Sequence, residues 1–240
     1  IPFSPGASEP WYGFVVDHAV TRSVRDSALL LDLTHGPDIQ APYGARPPVG
    51  TFLQAASRDP GKLTLAYYRR SPLGLEISRE TQAAMDTAIA LAREGGHSVE
   101  EIDLPSINRD FMADFCMCVA SSISGAMMIE ADRIGRPILP ELERATRVIA
   151  SFGGVISGGA IYAALDRLYV ACRRMIAETA RFDAVLMPII AHPPMPCGGM
   201  DSKGMDLFLE TAIDRLRLAR LLKLKPLLGP DTVVVTMQNG

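Results

Sequence analysis

The 240-residue chain carries 24 basic and 27 acidic residues for a formal net charge of −3, and 48% of its residues are hydrophobic. That composition supports a real core in one large or two small domains, and it leaves no electrostatic footprint for nucleic acid or an anionic membrane. No apolar run reaches the roughly 18 residues of a membrane span and no basic start leads into a hydrophobic signal segment, so a soluble, cytoplasmic protein is expected.

In chain order, Pro2, Pro5, Gly6, Pro10 and Gly13 make residues 1 to 20 an irregular leading segment. Thr21 or Ser23 then offers a helix cap. Apolar residues recur at near-helical spacing from Val24 through Ala28, Leu31 and Leu33, and Gly36-Pro37 ends a helix of about three turns. The Pro- and Gly-rich residues 37 to 61 read as a long surface loop. "KLTLAYYRR", Lys62 to Arg70, has strand composition. It is followed by a helix with Ala84, Met85, Ala88, Ile89 and Ala92 on one face, ended by Gly95-Gly96, and by "HSVEEIDLP", a partly exposed strand. Strand, helix and strand in about forty residues form a βαβ unit whose right-handed crossover makes the strands parallel. Helices are expected at about 108 to 133, 138 to 151 and 157 to 180, then a third, buried strand from Phe182 to Met187 running into a Pro-rich loop. The fold class is α/β with helical insertions.

Chemistry-bearing motifs are sparse. G-x-S-x-G, S-x-x-K, G-x-x-x-x-G-K-[ST] and G-x-G-x-x-G are all absent. The Gly/Ser-rich "SFGGVISGG" could cradle an oxyanion, but it also fits a helix break with Ser157 capping the next helix. Cys116, Cys118, Cys172 and Cys197 are too scattered for a disulfide scaffold, and C-x-C lacks a second pair to complete a zinc shell, so no metal is assigned. His35 and His97 sit where structural histidines are common. His192 follows the third strand at its carboxyl end, where α/β folds gather ligands. Arg22 and Asp26 could hold an acidic substrate, yet as an i, i+4 pair with Asp26 in the first turn they suit a scaffold role. The small and polar residues of "DFCMCVASSISGAMM", among them Cys118, Ser121 and Ser122, fit either tight helix packing or a pocket wall.

Together "HAVTRSVRDSALLLDLTHGPD", "LTLAYYRRSPLGLEISRETQAAMDTAIALAREGGHSVEEIDLP" and "FDAVLMPIIAHPPMPCGG" resemble the amidase signature family, in this order and at about this spacing, over residues 1 to 215. "HAVTRSVRD" is similar to the branch containing the 6-aminohexanoate cyclic-dimer hydrolases. The resemblance implies an α/β/α fold with a mixed central sheet. It also implies amide hydrolysis through a serine, a cis-serine and a lysine, with backbone amides holding the oxyanion and no metal or organic cofactor. In the family those groups precede the segment matching "IPFSPG", so no catalytic residue is assigned. Lys62, Lys203, Lys223 and Lys225 all fall outside the family's catalytic context. The resemblance places Cys118, Ser121 and Ser122 on a pocket-lining helix, to within a turn, and His192 joins them as a candidate substrate contact.

The chain opens at Ile1 without Met and closes on "VVVTMQNG", so both ends read as cut and the family sheet would lack strands on both sides. Exposed edges and apolar faces then make self-association the expectation, beside a small-molecule amide as the full-length relative's substrate. Residues 216 to 240 form an atypical tail, and "LKPLLGPDTVVVTMQNG" resembles a short stretch of the ketopantoate reductase family without that family's nucleotide-binding glycines. The expected function is therefore the middle-to-late portion of an amide hydrolase, inactive alone. The alternatives are a non-catalytic binding module or half of a split enzyme, and a reductase fusion.

Overall fold

The structure, a computed structural model, describes residues 10 to 36, 46 to 71 and 74 to 197. By its contacts the polypeptide parts into two compact units, Ile1–Gly61 and Lys62–Gly240. The tail from 216 to 240, with its reductase-like stretch, lies outside the described residues.

In the first unit a 3-10 turn at Pro10–Gly13 precedes α1 (Val24–Thr34). Ser23 caps α1, its Oγ accepting from the Asp26 N–H at 3.1 Å, and His35 closes the helix by donating its backbone N–H to Leu31 O. The segment expected to be all loop contains a further short helix, α2 (Phe52–Ala56). A capping box between Thr51 and Gln54 starts it, and the α1 residue Asp32 finishes the job. The N–H groups of Phe52 and Leu53 donate to its two carboxylate oxygens at 2.7 and 2.9 Å, and the His35 ring meets Phe52 edge-on. Two otherwise orphaned helix-end donors are thus satisfied from twenty residues away.

The second unit is built on three short strands, β1 (Thr64–Tyr67), β2 (Ser98–Glu101) and β3 (Ala184–Leu186), all parallel in the order β2-β1-β3. Between β1 and β2 runs α3 (Arg79–Glu94), capped by Ser78. Of the face the periodicity predicts, Met85 and Ile89 are buried against Tyr67, Val99 and Leu186 and Ala88 and Ala92 are half-buried, while Ala84 is exposed. Burying each such side chain stabilises the unit by about 1.5–3 kcal/mol. His97 is structural, its Nδ1 accepting the Leu63 N–H at 3.2 Å beside the start of β1. Asp183 ties β3 to β1 by accepting the Thr64 N–H at 2.7 Å.

From β2 to β3 the chain makes α4 (Arg109–Ile134), a 3-10 turn at Leu139–Glu141, α5 (Arg144–Gly153) and α6 (Gly158–Thr179). α4 packs on both α5 and α6. As the glycines suggest, Gly135 ends α4 in the left-handed region, α5 stops at Gly153, and Ser157 caps α6 by accepting from the Ala160 N–H. Two expectations are corrected. β3, expected to be buried, is exposed at Ala184 and half-buried at Val185 and Leu186, because among the described residues it lies at an edge of the sheet. α4 contains an 18-residue window of mean hydropathy 1.5, long and apolar enough to cross a membrane by length and composition. Alanine, cysteine, serine and glycine break up the large apolar residues there, which hides the run from inspection; in this structure the helix lies against α5 and α6.

Candidate functional site

A strand order of β2-β1-β3 means that the chain leaves β1 toward one neighbour and later returns on its other side. The carboxyl ends of β1 and β3 therefore flank a topological switch point, the place where open parallel sheets accept ligands. Tyr68 follows β1 there, its N–H donating to Leu186 O at 2.9 Å, and its side chain is buried. Burial pushes the phenol pKa up, the Asp103 carboxylate adds to this, and the Arg70 guanidinium opposes it, so the group remains a neutral hydroxyl at neutral pH. The loop after β3 is pinned to the start of α3, where Ser78 N–H donates to Ala191 O at 2.9 Å. That contact sets the exposed His192 near Glu80 in the first turn of α3. The Glu80 carboxyl is held low chiefly by its hydrogen bond to its own backbone N–H, then by the Ser78 hydroxyl, with His192 a smaller influence.

The other candidate pocket residues, Cys118, Ser121 and Ser122, sit on α4. Asn108 caps this helix by accepting from the Phe111 N–H at 3.1 Å. Its small residues admit α5 at very close range. A Cβ added to Gly153 would fall 1.9 Å from Ala120 O, and one on Gly154 would come within 3.3 Å of Ser124 Oγ. Cys118 is fully buried at 0% exposure, and that burial, reinforced by the Asp114 carboxylate and opposed by Arg167, raises its thiol pKa to about 11. Cys118 thus has no surface to offer a ligand and belongs to the helix contact, which corrects its placement on a pocket wall. Ser121 and Ser122 follow on the same helix, half-buried. Arg22 lies ahead of the α1 cap and makes no ion pair with Asp26, whose place in the first turn is as expected.

A groove of about 530 Å³ opens between the start of α4 and the second half of α6, with Phe111 and Val170 on its apolar wall. Asp114, 8% exposed, grips Arg167 through both carboxylate oxygens at 2.7 and 2.6 Å, and the Ser106 hydroxyl donates to Glu178 at 2.7 Å. Sequence reasoning passed over this pair of contacts. The visible signal was Asp114 at the head of the small-residue stretch of its helix, with an arginine on the helix that turns out to face it.

In the first unit His18 Nε2 lies 2.7 Å from Ser27 Oγ, a nucleophile-to-base distance, but among the described residues no partner orients the other ring nitrogen, and His18 is exposed. Among the described residues no group of three or more His, Cys, Asp and Glu is placed to hold a metal ion. The arrangement offers walls, a buried phenol and fixed charges.

A family profile described as Amidase matches residues 13–225. AmiB2 of Mycobacterium tuberculosis is 31% identical over 208 residues, which is 86% of this chain and 42% of that protein. The 6-aminohexanoate-cyclic-dimer hydrolase of Paenarthrobacter ureafaciens is 28% identical over 195 residues, covering 78% of this chain and 39% of the enzyme. A solved structure of 6-aminohexanoate cyclic dimer hydrolase superposes with a TM-score of 0.66 at 22% identity, covering 87% of this chain and 45% of that one. The chain spans less than half the length of each of these proteins.

Proposed function

Since the chain belongs to the amidase family, we propose that it forms part of an enzyme hydrolysing small-molecule amides and supplies framework and pocket walls to it. The observation that carries this reading is the family match itself, which runs through nearly all of both compact units. In the chemistry the family resemblance implies, a serine attacks the amide carbonyl while a lysine, acting through a cis-serine, removes its proton. Backbone amides then hold the tetrahedral oxyanion until the amine leaves. These 240 residues contain no S-x-x-K and no G-x-S-x-G, and among the described residues His18 with Ser27 lacks an orienting group. On this reading the chain alone does not turn over amides. Similarity to the 6-aminohexanoate-cyclic-dimer hydrolase favours a linear or cyclic amide of an amino acid as the substrate.

The test joins this chain in one polypeptide to the serine- and lysine-bearing portion of a related amidase and follows release of ammonia or amine from simple amides. The joined protein is expected to be active and the 240-residue chain inert. Turnover by the chain alone, abolished by Ser27→Ala, would transfer the chemistry to the first unit and overturn the proposal.

A further inference from the structure

Helix α6 carries two apolar stripes. One, with Ile161, Ala164 and Leu168 buried, belongs to the core of its own unit. The second repeats every seven residues: Tyr162, Tyr169 and Ile176 are 76%, 50% and 64% exposed, and Leu165 and Cys172 fall between them, half-buried. This is the a and d pattern of a helix that pairs with another. Asp166 and Arg173 flank it at the same heptad position, both exposed, and among the described residues neither makes an ion pair.

We propose that this stripe is the contact between two copies of the chain, with α6 antiparallel to α6 about a two-fold axis passing between Tyr169 and Cys172. The assignment to a second copy comes from the charges. In an antiparallel pair, flanking positions of one kind meet their own kind on the other helix, so Asp166 faces the partner's Arg173 and Arg173 faces the partner's Asp166. The same register lays Tyr169 against the partner's Cys172 and Leu165 against the partner's Ile176. Two opposite charges spaced seven residues apart on one helix are self-complementary when it is inverted, whereas a parallel pairing would set Asp166 and Arg173 against the partner's Ile161 and Leu168, which are apolar and buried in its own core. With little more than two heptads the contact is small, so dissociation on the order of micromolar is expected.

The test is sedimentation velocity of the purified chain from about 1 to about 200 μM, the range in which so small an interface dissociates. A monomer–dimer equilibrium is expected. Asp166→Arg should weaken it at least about tenfold by placing arginines opposite each other, and the double change Asp166→Arg with Arg173→Asp should restore it. Both positions are exposed, and circular dichroism checks that the variants keep their helices. A monomer throughout, association indifferent to both charge changes, or association only with an added serine-bearing amidase portion would each overturn the pairing.

Discussion

At the scale of single residues, Cys118 shows how position overrides chemical type. A thiol in a small-residue helix looks like a pocket lining, yet full burial beside the Asp114 carboxylate favours its protonated form and lifts the pKa from 9.0 to about 11. The consequence for stability has a definite sign. Between pH 9 and 11 the unfolded thiol ionises while the folded one keeps its proton, so the unfolded state is favoured increasingly as pH rises. Urea unfolding should lose up to about 2–3 kcal/mol across this window, and Cys118→Ala should flatten the slope. In native protein a thiol reagent should modify the exposed Cys197 at once and Cys118 only on unfolding. Rapid native labelling of Cys118 would show that it lines an open surface after all.

At the scale of elements, α4 and α5 bring their backbones into close approach at Gly153. Gly153 ends a helix, but its lack of a side chain matters more for the approach to Ala120, whose carbonyl occupies the place of a Cβ. Gly153→Ala should therefore push the helices apart and cost about 1–3 kcal/mol in chemical denaturation. Gly159→Ala in the first turn of α6, with nothing within 4 Å, should be neutral or slightly stabilising. Equal effects would mean that backbone freedom, rather than contact, sets the cost. The glycine's role as a helix stop was legible in the sequence because it is local. The backbone it meets lies more than thirty residues away and was not legible. The same division explains the first unit, where the Ser23 cap could be read off but the Asp32 grip on the start of α2 could not. It also explains β3, whose apolar composition signalled a strand but not that, among the described residues, the strand would lie at a sheet edge.

At the scale of the whole molecule, parallel strands with an interposed helix were legible from periodicity, and the strand order that creates the switch point was not, because the return of β3 to β1 passes through three helices. The family motifs lie across that same frame, which is why they identify the amidase fold while leaving reactive groups unassigned. Tyr68 and His192 lie near the strand ends and Asp114 with Arg167 in the groove, and none of these four is a nucleophile held by a base and an orienting partner. The most direct measurement of that division of labour is labelling of the 240-residue chain with a serine-directed fluorophosphonate, read by intact mass. No adduct is predicted, while the joined polypeptide bearing the family's serine and lysine should take up one. A stoichiometric adduct on the chain alone, at Ser27 or on α4, would contradict the account.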